Sequence, residues 1–179
     1  CCASVHTAVD ALVDLMNEHD LQVDEIKSVE TVVNKISYDN LKFNDPKTEM
    51  EARFSMHYCI AVALLRKRLM LDDFEKFAVR DSKIRALYPN ITMTKTSEDN
   101  PLPTATNGRE PAETRVILKN GQTLSKFLQH PKCVLQNPLS DKEMWSKLDD
   151  CVSCIGNAER MATIRNKLES FENIADIRD

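Results

Sequence analysis

Glycine is scarce in this chain, three residues in 179. So little glycine argues against an all-β sandwich with many tight turns, and long periodic runs favour helix instead. No apolar run reaches the roughly 20 residues a membrane-spanning helix needs, and none looks like a signal peptide. No stretch gathers Lys and Arg on one face with aromatics between them, and the net charge is −4. Nucleic acid is therefore not the expected partner. An anionic small molecule stays open, because a small pocket can be basic inside an acidic protein. The six cysteines, Cys1, Cys2, Cys59, Cys133, Cys151 and Cys154, lack the dense spacing of secreted disulfide scaffolds, so reduced thiols in a cytoplasmic protein are expected. Cys151 and Cys154 form one Cys-x-x-Cys without a second pair, which is weak for a metal site, and no metal is expected.

What the chain does have is a helix-forming apolar run from Glu51 to Leu65, apolar on nearly every side from Phe54 onward. A helix apolar all round is buried, so this reads as the central helix of a core. Ser55, His57 and Tyr58 are its polar exceptions, and buried polar groups need partners in the fold or on a ligand. Arg66, Lys67 and Arg68 close the run with charge that suits a helix C-terminus.

Around it, Val5, Ala8, Val9, Leu12, Val13, Leu15 and Met16 recur at helical spacing from Ser4 to about Glu18, with Ser4 or Thr7 as cap. Residues 25–33 are β-branched and read as a strand; residues 34–47 are polar and loop-like. Asp72-Asp73 cap a short helix through Phe77, and Asp81-Ser82 start another. Ile91–Lys95 reads as a short strand, and residues 97–113 as a long loop. Thr114–Lys119, Asn120-Gly121 and Gln122–Phe127 form the clearest hairpin signal. Ser140 and Glu143 have capping-box spacing before one or two final helices. The sum is an α+β fold, with a boundary near residues 130–139.

Four segments carry a resemblance. Cys1-Cys2 through His6, Asp10 and Ala11 resembles the Lys-x-Tyr-Pro-Cys-Cys…(Thr/His)-His-x-x-x-Asp-Ala block of the MmgE/PrpD family. Glu51-Ala-Arg-Phe-Ser-Met-His-Tyr58 and the apolar run after it resemble its Glu-Ala-Lys-Phe-Ser-Leu-x-Tyr block. Val116 to Gly121 is similar to its strand ending in Asp-Gly. Asn137-Pro-Leu-Ser-Asp-Lys-Glu-Met144 is similar to its Asn-Pro-Leu-Ser-x-Glu-Glu-Leu signature. The four blocks stand in the family's order.

The resemblance implies a lid domain with a small antiparallel sheet and a buried central helix over residues 1–134. Residues 135–179 would be C-terminal helices returning to an all-α domain, and the chain would be the C-terminal portion of a longer enzyme. It further implies a cofactor-independent lyase, usually a homodimer, acting on a small polycarboxylate. A 2-methylcitrate dehydratase-like enzyme is the leading expectation, and a decarboxylase or an epimerase is the alternative within the family. The portion alone would be inactive, since several catalytic groups of the family lie in the helical domain. From a different class, a non-catalytic α+β interaction module remains open. Tyr58 and His6 are the implied catalytic residues, with Cys2 and Arg53 toward substrate. Each has a plainer reading: Tyr58 as a buried core tyrosine, His6 as a helix-terminal histidine, Arg53 as a solvated or ion-paired helix end.

Overall fold

The computed structural model describes residues 1–102, 110–154 and 158–173, with no side-chain placement for 158–161. Contacts divide the chain into two units, Cys1–Pro138 and Leu139–Asp179.

The first unit is α+β. It opens with α1 (Ala3–Glu18), which buries Val5, Ala8, Leu12, Leu15 and Met16 along one face. Neither Ser4 nor Thr7 caps it. The cap position is Cys2, which makes no side-chain bond there, while the Ser4 hydroxyl donates to Glu110 at 2.9 Å. β1 (Ile26–Val33) follows. The polar stretch expected as loop then contains α2 (Lys35–Asn40), started by the Asn34 side chain accepting from the Ser37 amide. Asn34 is a good helix cap, and that signal outweighs the polar composition after it.

The central helix is two helices: α3 (Glu49–Arg53) and α4 (Met56–Arg66), broken at Phe54 and Ser55. The break lies at Ser55 because its extended backbone and hydroxyl cap α4, accepting from the Tyr58 amide at 3.1 Å. α4 buries eight of its eleven residues, as its composition requires, and packs against α1. Ser55→Ala is expected to destabilise the fold by about 1–2 kcal/mol through loss of that cap, read by urea unfolding. Lys67, in left-handed geometry, ends α4.

A tight turn at Leu71–Phe74, α5 (Lys76–Val79) and α6 (Ser82–Arg85) lead to β2 (Ile91–Lys95). Asp72 and Asp73 do not cap α5. Asp73 is the third residue of the Leu71–Phe74 turn, and its carboxylate accepts from the Met70 amide at 2.7 Å. β3 (Ala112–Leu118) and β4 (Thr123–Leu128) form the hairpin. Gly121 sits at φ +91°, the left-handed backbone that glycine supplies without strain. The expected loop 97–113 falls partly on residues 103–109, outside the described residues, and β3 already begins at Ala112 within that stretch.

The sheet order is β2-β1-β3-β4. β1, β3 and β4 pair antiparallel, but β2 joins β1 in parallel, so the sheet is mixed rather than antiparallel throughout. Parallel neighbours need a long crossover, and residues 34–90 provide it. β3 alternates, with Ala112, Thr114, Val116 and Leu118 buried. The Thr114 hydroxyl donates to the Ala8 carbonyl at 2.9 Å and ties the sheet to α1.

The second unit holds α7 (Asp141–Ser153) and α8 (Ala158–Glu169). Ser140 and Glu143 form the expected reciprocal capping box. The Arg165 guanidinium lies 4.5 Å from the centre of the Trp145 ring, a cation–π contact between the two helices.

Candidate functional site

The backbone brings two of the four expected site residues together. The Cys2 amide donates to the Arg53 carbonyl at 2.9 Å, which joins the start of α1 to the end of α3. Cys2 is half-buried against the core, and Arg53 is exposed. Among the described residues the exposed Arg53 guanidinium makes no ion pair.

His6 lies one turn further along α1 and is exposed. Asp10 follows by another turn, then Asp14 and Glu18, so α1 carries a polar stripe at i, i+4 spacing. Lys126 of β4 and Lys132 face it: Lys126 pairs with Glu18 and lies 3.6 Å from Asp14, and Lys132 also lies 3.6 Å from Asp14. Asp10 is held in place, its carboxylate accepting from the Lys132 amide at 2.7 Å. Burial pushes the Asp10 carboxyl above the usual range; the Lys132 amide and the charge of His6 pull it back, and Asp14 raises it. Asp10 and Lys132 were given no role from the sequence. The family block quoted above contains Asp10, and its spacing of four from His6 was the available signal. Nothing in the sequence near Lys132 signals that its amide meets α1.

This shift predicts a pH dependence. A carboxyl with its pKa raised by folding favours the protonated state, so its contribution to stability falls as pH rises through the folded pKa. Asp10→Asn keeps an acceptor for the Lys132 amide and removes that titration. The variant is expected to match the parent below about pH 4, the ordinary aspartate range, and to be the more stable of the two at neutral pH. Thermal melts across this range test it; a variant less stable at pH 7 would mean that the charge of Asp10 stabilises the fold.

Tyr58 lies elsewhere. It is fully buried, its hydroxyl donates to the Asp73 carbonyl, and its ring sits 5.7 Å from that of Phe74, tilted by 54°. Burial pushes its pKa up. The hydroxyl is thus engaged with the Leu71–Phe74 turn. His57 is half-buried on α4. Cys151 and Cys154 are exposed thiols, and no cluster able to hold a metal occurs among the described residues. No helix among the described residues is long and apolar enough to cross a membrane.

A sequence model of the MmgE/PrpD C-terminal domain matches residues 1–172. The chain belongs to the MmgE/PrpD family. The match covers both units, from the Cys1-Cys2 start of α1 to the Phe171–Asn173 turn after α8. No curated protein matches the chain. MmgE/PrpD proteins are known as dehydratases and other lyases.

Proposed function

We propose that this MmgE/PrpD domain is the lid-side part of a cofactor-independent lyase that dehydrates a small hydroxy-polycarboxylate, with 2-methylcitrate as the leading substrate. The observation that carries the reading is the start of α1, where the main chain of Arg53 bonds to Cys2 and His6 follows one turn on. In this reading the Arg53 guanidinium binds a substrate carboxylate, since an arginine fork suits that geometry. His6 takes the proton from the carbon beside a carboxylate, and Asp10 steadies the imidazolium that results. The C–H electron pair forms the double bond, and the C–O bond breaks with hydroxide leaving as water on accepting a proton. No electron is gained or lost overall, so the reaction itself calls for no redox cofactor. Cys2 lines the substrate side. The remaining groups come from the helical domain implied by the family, and the whole enzyme works as a cytoplasmic homodimer.

The test compares the full-length protein with this 179-residue chain. Each is incubated with 2-methylcitrate, and the unsaturated acid is followed by its ultraviolet absorbance. Turnover by the full-length protein and none by the chain alone is expected. Turnover by the isolated chain would overturn the division of groups proposed here. A full-length protein that instead releases carbon dioxide, or only exchanges a carbon-bound proton with solvent, would overturn dehydration in favour of decarboxylation or epimerisation.

A further inference from the structure

α2 and α4 both pack against β2. Where the end of α2, the start of α4 and β2 meet, a trough of about 570 Å³ opens. Tyr38, Leu41 and Met93 supply its apolar surface. Leu41 is buried, Met93 is half-buried, and Tyr38 keeps part of its ring in solvent. A small-molecule site needs such a surface together with a few polar groups that fix the orientation of the ligand.

The charged part of the lining is one carboxylate, Asp39, and one ammonium, Lys42. Lys35 bonds Oδ2 of Asp39 from one turn earlier on α2, an exposed i, i+4 pair that contributes little. That bond chiefly holds the Asp39 carboxyl below its usual range, and the charge of Lys42 adds to the effect. Among the described residues the other oxygen, Oδ1, has no hydrogen-bond partner, and Lys42 makes neither a hydrogen bond nor an ion pair. A ligand of single charge would meet one like charge in this lining, whereas a ligand carrying both charges can pair each. His57 lines the trough as well, and its Nδ1 is buried without a hydrogen-bond partner among the described residues. Burial lowers the His57 pKa and so favours the neutral ring. A neutral imidazole presents at Nδ1 either an N–H or a lone pair. An ammonium serves the lone pair and a carboxylate serves the N–H, so a ligand with both ends recovers the cost of the unpaired atom in either tautomer.

We propose that this trough binds a small zwitterion, an α-amino acid with an apolar side chain. Its ammonium group meets Asp39, its carboxylate meets Lys42, one of these ends bonds His57 Nδ1, and its side chain lies on Tyr38, Leu41 and Met93. The site lies on different residues from the α1 stripe, and it does not depend on lyase activity.

The full-length protein is titrated with L-leucine, leucine amide, N-acetylleucine and glycine, and ligand-observed NMR reads each Kd. Leucine is expected to bind at about 0.1–10 mM, the range for a ligand of so few atoms. Leucine amide lacks the carboxylate, N-acetylleucine the ammonium and glycine the apolar side chain, and each should bind about tenfold or more weakly. Asp39 and Lys42 are exposed, so Asp39→Asn and Lys42→Met should fold as the parent does and weaken leucine about three- to tenfold each. N-acetylleucine binding as well as leucine would make the trough an anion site, and leucine amide doing so would make it a cation site; either result overturns the proposal. Glycine binding as well as leucine would overturn it too, by removing the apolar contact. So would the absence of leucine binding at about 10 mM, or leucine binding that neither substitution weakens.

Discussion

Asp73→Ala is expected to destabilise the fold by about 2–4 kcal/mol, because it removes the buried partner of a half-buried ion pair and orphans a backbone donor. The side chain of Asp73 is 0% exposed, it pairs with Arg66, and Arg68 lies 3.8 Å away. Its second task is to accept from the Met70 amide at 2.7 Å. Alanine leaves the Arg66 guanidinium without its carboxylate and a backbone donor without an acceptor. Asp73→Asn keeps the size and an acceptor for Met70, and should cost less, about 1–3 kcal/mol. Tyr58→Phe removes the hydroxyl that holds the Asp73 carbonyl and should cost about 1 kcal/mol. Because Tyr58 and Asp73 serve one turn, the double variant should lose less than the two single losses added. Urea unfolding of all four proteins measures these terms; an Asp73→Ala variant within about 1 kcal/mol of the parent would remove the ion pair as a determinant of the fold. In the full-length enzyme, Tyr58→Phe should leave turnover nearly intact. A fall in kcat of one to three powers of ten, the range for losing one well-placed donor, would instead place the hydroxyl on the substrate.

His6→Gln in the full-length enzyme is expected to lower kcat by about two to four powers of ten, the contribution of a positioned general base. The residue is exposed on α1, so the variant should still fold, as its melting curve will show. If His6 takes the proton, the acidic limb of the pH–rate profile should vanish with it, since glutamine does not titrate in that range. Arg53→Met should act differently, raising KM more than it lowers kcat, as expected of a group that binds the substrate equally before and during reaction. Steady-state kinetics on both variants separate the roles. A His6→Gln enzyme with kcat within about twofold of the parent would remove His6 from the chemistry.

Local patterns reached far in this protein. The periodic apolar face of α1, the β-branched run of β1, the Asn120-Gly121 hairpin and the Ser140–Glu143 box each became the element their residues specify, because each signal acts within a few residues. The family was legible for the same reason, through short blocks kept in order. Where two local signals competed, composition misled: Asn34 starts a helix in a stretch that reads as polar loop, and Ser55 divides a run that reads as one helix.

Tertiary structure decided the rest. The parallel placement of β2 depends on where a long crossover returns, and no residue of Ile91–Lys95 encodes that alone. A tyrosine on a buried helix can turn its hydroxyl to a ligand or to a carbonyl; in this structure the Tyr58 ring lies beside Phe74 and its hydroxyl donates to the Asp73 carbonyl. Asp10 meets the Lys132 amide across most of the chain's length, and its pKa is raised chiefly by the burial that tertiary packing imposes. Most elements and the family could be read from the chain alone, since propensity, capping and turn chemistry act over short range. Which polar groups were joined in the core and which stayed open at an edge or a surface was decided only when distant segments packed together.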